Sequence, residues 1–293
     1  MGYHLWTSSA TGYRRRGTRA AELRSLFERG VTVASILEPL RCCHVGDPAS
    51  GVSEELARLD FDVVGVREPD SGRAIGWLHR EDVGEDVSHD RVRPIEPQQV
   101  VSDSTPLIDL IPILSDQPWV FVVAGHGVTG IVTRADLQKP PVRALLFGLL
   151  SLLEMHLTFW VAQRYPDDTW VTGLSVSRVE KATDLWERRR ARNEEIGLLD
   201  CLQFCDKRDL IVTADELREG LGLGAKRNAR SVLARAEQLR DRVAHSQLDL
   251  VSGSSWTELA RTVTTIEALL DCSDKLVEAK SAGGEEPVFH VAF

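Results

Sequence analysis

The sequence predicts an α+β chain in two parts: a module of small sheets and short helices built from a tandem repeat, followed by an all-α helical bundle. Three observations predict it. One pattern of short apolar strands and helices runs over residues 33–83 and again over 97–137. From Pro140 onward, strand-like runs give way to apolar residues at helical spacing. The 293-residue length suits two ordinary domains, and 43% hydrophobic with 27% charged residues is a globular composition. The expected divisions are an arm and leading helix at 1–30, the repeat at 31–139, the bundle at 140–280 and a tail at 281–293.

Residues 1–16 read as a loose arm, and residues 18–28 as a short amphipathic helix. In the repeat, Val45-x-Asp47 aligns with Val101-x-Asp103. A helical patch follows each, at 52–59 and 107–114, then an apolar strand at 61–66 and 119–123. A glycine-containing turn, a second strand and a short helix close each copy. The closing pieces align best, Gly76-Trp77-Leu78-His79-Arg80-Glu81-Asp82 against Gly130-Ile131-Val132-Thr133-Arg134-Ala135-Asp136.

This order of elements, ending in Gly-x-x-Thr-x-x-Asp, resembles a tandem pair of CBS (cystathionine-β-synthase-type) domains over residues 30–139. The resemblance implies two units packed sheet to sheet, with an adenine nucleotide (AMP, ADP or ATP) or S-adenosylmethionine bound between them as a regulatory ligand. An aspartate at a helix start accepts hydrogen bonds from ribose hydroxyls, and a threonine just before it reaches a phosphate with help from the helix N-terminus. Carried over, those residues are Thr133 and Asp136, with Arg134 as a phosphate clamp and Val101 and Thr105 framing the base. In the first copy His79 replaces the threonine while Asp82 remains. A plainer reading stands beside this one. Thr133 and Asp136 cap the short helix, and the module is a scaffold for dimerisation.

In the C-terminal half, Pro140-Pro141 opens a helix whose residues 142–164 are apolar on nearly every side. Glu154 within it needs a partner, and Arg240 or Arg242 across the bundle is the expected one. His156 reads as a hydrogen-bonded core histidine. Tyr165-Pro166-Asp167-Asp168 is a turn. A helical stretch over 177–205 carries Arg188 to Arg192, which form either an RNA-backbone patch or a solvated face with local ion pairs. Thr213-x-x-Glu216 and Ser255-x-x-Glu258 have the spacing of capping boxes. Gly220, Gly222 and Gly224 lack a phosphate-loop pattern and read as a turn. Val232, Ala236, Leu239 and Val243 mark the buried stripe of a helix over 225–246. After Lys280 comes a tail in which residues 288–293 are apolar enough to dock.

That helix ends in Leu239-Arg240-Asp241-Arg242-Val243-Ala244-His245-Ser246. Helical spacing puts Asp241 and Arg242 on the side of His245 and turns Arg240 partly away. The stretch resembles the Arg-x4-His signature of HEPN domains, helical bundles found in many prokaryotic ribonucleases and toxins. The resemblance implies a homodimer that cuts RNA without metal or cofactor, leaving a 2′,3′-cyclic phosphate. His245 would be general base or acid, Arg240 would stabilise the charged phosphorane, and Asp241 would orient them. An antitoxin-like protein partner would accompany such an activity. The alternative is a non-catalytic regulator in which the CBS pair senses an adenosyl ligand and the bundle is a dimerisation or partner-binding platform.

Charge and cysteines bound the choice. A formal charge of −9 argues against a broad nucleic-acid coat, so any RNA contact is local. Cys42, Cys43, Cys201, Cys205 and Cys272 form no Cys-x-x-Cys pair, and their number is odd, which suits a reduced cytoplasm. Cys201 and Cys205, placed on one helix face, are two buried thiols rather than a metal site, and no metal is expected. The apolar run at 144–161, interrupted by Glu154 and His156, suits a buried bundle helix better than a membrane span.

Overall fold

The computed structural model describes residues 20–68, 72–83, 87–194, 196–244 and 249–282. The chain divides into two compact units: Phe27–Val142, and Arg143–Phe293 together with Met1–Leu26. The leading helix α1 (Ala20–Gly30) carries Arg24, which pairs with Glu267 at 3.1 Å within the second of these units.

The first unit repeats one β-α-β-β-turn motif. A two-residue strand β1 (Glu38–Pro39) precedes copy one, which comprises β2 (Cys42–His44), α2 (Ala49–Leu59), β3 (Val63–Arg67), β4 (Ala74–His79) and the 3-10 turn Arg80–Asp82. Copy two comprises β5 (Val100–Ser102), α3 (Leu107–Asp116), β6 (Trp119–Ala124), β7 (Gly127–Thr133) and the 3-10 turn Arg134–Gln138. In each copy the first strand lies parallel to the second, which the helix crossover requires, and the third returns antiparallel. β3 reads Val-Val-Gly-Val without polar alternation because four successive residues are buried. One core gathers Leu56, Val64, Val66 and Leu78 within copy one. Another joins Val63 and Trp77 of copy one to Phe121 of copy two, with Trp119 and Ile131 packed against it.

Strand register corrects the alignment within the repeat. Val63 faces His79 and Trp119 faces Thr133, so Gly65 and Phe121 are equivalent positions. Cys42 pairs with Gly65 and Val100 with Phe121, which makes Cys43, not Val45, the counterpart of Val101. Asp47 then corresponds to Thr105, and Pro48 to Pro106, the residues that open α2 and α3.

Each sheet is completed by the segment that precedes the other copy. β1 adds to the edge of β7, with Glu38 opposite Ile131 and Pro39 opposite Gly130. On the other sheet Arg93 and Trp77 exchange both backbone hydrogen bonds at 2.9 Å. This crossing explains the glycine at the head of each closing motif. A Cβ at Gly76 would lie 2.3 Å from the Arg93 carbonyl oxygen, and one at Gly130 would lie 3.0 Å from that of Glu38. Only glycine lets a neighbouring backbone approach this closely.

The second unit is helical among its described residues. It contains most of α4 (Pro140–Arg164), then α5 (Val176–Arg190), α6 (Phe204–Thr213), α7 (Asp215–Gly220), α8 (Lys226–Ala244) and α9 (Trp256–Ala282). α4 is long and apolar enough to cross a membrane, and 56% of its most apolar window is buried within the protein. The expected stripe of α8, Val232, Ala236, Leu239 and Val243, is buried, together with Ala229 and Leu233. Ser255 caps α9 by accepting the Glu258 N–H at 3.1 Å.

Two local expectations fail. The helix over 177–205 is two helices separated by an irregular passage: Asn193 takes a left-handed conformation (φ 58°), and Gln203 and Asp206 form a capping box that starts α6 afresh. Cys201 therefore sits in a 3-10 turn and Cys205 in α6, not on one helix face, and only Cys201 is fully buried. Thr213 caps nothing. It ends α6, its hydroxyl donating to the Asp209 and Leu210 carbonyls, and α7 starts at Asp215 without a side-chain cap.

Candidate functional site

In the second copy of the repeat, Thr133 and Asp136 come together at the mouth of the 3-10 turn. The Thr133 backbone N–H and hydroxyl both donate to Asp136 Oδ2, at 2.7 and 2.9 Å. Asp136 is 6% exposed, and its other oxygen meets Lys139 Nζ at 2.8 Å. The same ammonium bonds the Glu38 carboxylate and donates to the Ile36 carbonyl at 2.6 Å. One cation thus ties the motif aspartate to the crossing segment. Attraction to both carboxylates outweighs the burial penalty, so the Lys139 pKa is raised although desolvation alone would lower it.

Arg134 turns the other way. Its Nε donates to the Leu114 carbonyl at 2.8 Å and its Nη2 to that of Ser115 at 2.9 Å, closing the C-terminus of α3. Val101 is buried in β5 opposite Val122. The Thr105 carbonyl accepts the Val33 N–H at 2.9 Å. Of the proposed ligand residues, therefore, Thr133 and Asp136 interact directly, while Arg134, Val101 and Thr105 each have separate structural partners.

The first copy repeats the logic with different residues. His79 Nδ1 accepts the Glu81 N–H at 3.3 Å. Asp82 receives Arg93 Nη2 at 2.5 Å, and that guanidinium lies over the Trp77 ring, 5.1 Å from its centroid. Trp77 meets Trp119 of the second copy edge to face at 5.6 Å, and the His79 ring is 6.1 Å from Trp119. In both copies the motif aspartate holds a cation, and in both that cation braces the crossing segment.

In the helical unit, Arg240 is engaged by two carboxylates. Its Nη2 is 3.7 Å from Glu154 Oε2, and its Nη1 donates to Asp241 Oδ1 at 3.0 Å. Glu154 also binds Lys207, which is 4% exposed, at 2.9 Å. Of the two arginines considered for Glu154, Arg240 is the partner. Arg242 instead donates to the Leu250 carbonyl at 3.0 Å. His245 lies outside the described residues. The basic residues of α8 are partly engaged: Arg230 approaches Asp209 of α6 at 4.0 Å and Arg235 donates to the Ser231 hydroxyl at 2.6 Å, while Glu237 of the same helix is taken by Arg208 of α6. On α5 and just after it, Arg189 pairs with Glu194 at 2.6 Å and Arg190 stacks on Trp186, the local pairing of a solvated face.

His156, buried at 1% exposure, shares a hydrogen bond with the Ser273 hydroxyl at 2.6 Å, and Trp160 Nε1 donates to the same oxygen at 2.6 Å. Desolvation lowers its pKa from 6.5 to about 4. Above pH 6.5 the ring is neutral whether the chain is folded or not. As pH falls from 6.5 toward 4, the unfolded chain takes up a proton that the folded one refuses. Stability present above that window is lost through it, by about 3 kcal/mol in full. The urea midpoint of the helical unit should fall between neutral pH and pH 4, and His156→Asn should flatten the fall. An equally steep profile in the variant would assign it elsewhere.

No known family model and no curated protein matches the chain. Solved structures of similar fold include CBSX2 in complex with AMP, at 24% identity over 40% of this chain and 97% of that one, with a TM-score of 0.33. Others are CbpB in complex with c-di-AMP, at 19% identity over 45% and 97% with a TM-score of 0.36, and the CBS domain pair of protein MJ0100 in complex with 5-methylthioadenosine and S-adenosyl-L-methionine, at 18% over 36% and 96% with a TM-score of 0.31. The likeness is to CBS-domain proteins, and in each case it spans less than half of this chain.

Proposed function

We propose that this chain is a non-catalytic regulator. Its repeat module takes an adenosyl ligand at the second copy, and its helical unit serves as a platform for a protein partner or a second copy. The observation that carries this reading is the buried Asp136 carboxylate, held by Thr133 on one oxygen and by Lys139 on the other. A vicinal diol supplies two O–H donors, the complement of a carboxylate, and can replace the ammonium on Asp136. Lys139 is then free to meet the ligand's phosphate and releases Glu38 of β1. Ligand occupancy thereby acts on the strand that completes the second sheet. A ligand shifts such an equilibrium only through unequal affinity for the pinned and released forms.

The ligands of the three solved structures set the test panel: AMP, c-di-AMP and S-adenosylmethionine, with ATP and ADP added. At least one should raise the melting temperature of the wild-type chain, and Asp136→Asn, which keeps a capping acceptor, should lose that shift. No shift with any of the five at saturating concentration would sink the ligand-binding role. A shift retained in Asp136→Asn would move the site elsewhere.

Ribonuclease action is the weaker reading because Arg240 is already in contact with the carboxylates of Glu154 and Asp241. Wild-type protein incubated with RNA in excess chelator should yield no more cyclic-phosphate ends than His245→Ala. Cleavage that depends on His245 would overturn the regulator reading.

A further inference from the structure

A groove of about 330 Å³ opens in the helical unit between the end of the turn segment Pro166–Gly173 and α5. Its apolar walls are Val171, Leu174, Val176 and Val179, and Glu180 and Asp184 line it from α5. Both walls are fixed from behind. Trp170 is fully buried, and its Nε1 donates to Asp168 Oδ1 at 2.8 Å. A Cβ at Gly173 would meet Leu210 Cδ2 at 2.8 Å, so the turn segment packs directly on α6. α5 is tied to α6 by Arg178, which donates to Asp209 at 2.8 Å and lies 3.3 Å from Asp206. Ala182, one turn further on, is buried on the same side. A groove formed in advance loses little freedom when it is filled.

The opposite face of α5 is open. Val176 is 74% exposed. Glu180, Asp184 and Glu187 follow it at three- and four-residue spacing and are exposed with it on one face. None of these three carboxylates has an ion-pair partner among the described residues. Like charges one turn apart weaken a helix, so the row carries a cost that nothing within the chain offsets. From 180 to 187 it runs for about 10 Å, two turns of helix. An exposed apolar strip beside an unpaired acidic row is the complement of a helix with apolar residues on one face and lysine or arginine along its border. The net charge of −9 favours a basic partner over a second, equally acidic copy.

We propose that this groove docks a basic amphipathic helix of a partner protein. Its apolar side chains lie against Val171, Leu174, Val176 and Val179, and its cations meet Glu180, Asp184 and Glu187. The inference rests on the reading of the helical unit as a platform, for which it supplies the surface and the chemistry of the partner, and it is independent of ligand binding at the repeat.

The probe is a fluorescein-labelled helical peptide about four turns long, with leucine at three- and four-residue spacing and lysine flanking it, beside a counterpart with glutamate for every lysine. The full chain should bind the lysine peptide and not the glutamate one. Glu180→Lys with Asp184→Lys should weaken the lysine peptide about tenfold or more and should gain the glutamate peptide. Val176→Ser should weaken the lysine peptide without admitting the other. Glu54→Lys with Glu219→Lys changes two exposed carboxylates elsewhere and shifts net charge equally, and should alter binding by less than about twofold. All the substituted residues are exposed, so each variant should melt as wild type. The proposal fails if the wild-type chain takes up neither peptide. It fails also if the remote pair weakens binding as much as the groove pair, since the attraction would then be one of net charge alone. A chain that is dimeric, and becomes monomeric in Val176→Ser, would place a second copy in the groove and overturn the partner assignment. Each of these failures leaves the platform reading standing on another face, whereas RNA cleavage that depends on His245 would remove that reading itself.

Discussion

Gly76→Ala should destabilise the repeat module by about 3 kcal/mol or more, and Gly130→Ala by distinctly less. The two glycines are equivalent by register, each facing the segment that crosses from the other copy. Their clearances differ. A methyl at Gly76 meets the Arg93 carbonyl oxygen at 2.3 Å and Val92 Cγ1 at 2.5 Å, whereas at Gly130 the nearest atoms, the Glu38 carbonyl oxygen and Leu37 Cδ1, are both at 3.0 Å. At Gly130 a shift of a few tenths of an ångström relieves the contact, and half of it falls on a flexible leucine tip. At Gly76 the obstacle is backbone, and moving it breaks the paired Trp77–Arg93 hydrogen bonds and draws Arg93 away from Asp82 and the Trp77 ring. Urea unfolding followed by tryptophan fluorescence measures both variants, since Trp77 and Trp119 sit on the affected face. Equal and small losses would mean that the crossing segment is not pinned and that the glycine has another cause.

This crossing also marks the limit of what could be read beforehand. The repeat was visible because Gly-x-x-Thr-x-x-Asp and its degraded copy fix the end of each motif, where glycine, cap and aspartate are each demanded by local geometry. The start of each copy was misaligned because Val45-x-Asp47 and Val101-x-Asp103 match in letters alone. The usable signal was proline at 48 and 106, which opens both helices. The added edges were out of reach, since a two-residue strand and a single bridge are specified by distant backbone and leave no periodicity in their own sequence. The same contrast holds in the helical unit. The buried face of α8 follows from 3.6-residue spacing, but the break after α5 lies where Arg, Ala and Glu favour a helix. The stop is carried by Asn193, which takes the left-handed conformation, a weaker signal than glycine or proline. At the candidate sites, the sequence supplied the residue types at Thr133, Asp136, Glu154 and Arg240. It gave no hint of Lys139 or Lys207, the cations that two of those carboxylates hold, because a lysine's partner is decided by tertiary packing.

Lys207 leads to the second large effect. Glu154→Leu should cost about 3–4 kcal/mol, Lys207→Met about half as much, and the double variant less than the sum of the two. The asymmetry follows from burial. Lys207 is 4% exposed, and its ammonium bonds Glu154; removing that carboxylate strands a charge where water cannot reach it. Removing the lysine instead leaves Glu154 partly solvated and still 3.7 Å from Arg240. The apolar pair in the double variant needs no charge compensation, so most of the Glu154→Leu penalty should be recovered. Arg240 separates this account from a purely steric one. Glu154→Leu leaves it with Asp241 alone, whereas Lys207→Met leaves both of its contacts in place. If ionic coupling is the cause, the cost of Glu154→Leu should persist in Arg240→Met, because the stranded lysine is the same, while Lys207→Met should become more costly there, because Glu154 then loses both cations. If the Glu154→Leu cost largely disappears in that background, it belongs to Arg240 rather than to the buried ammonium.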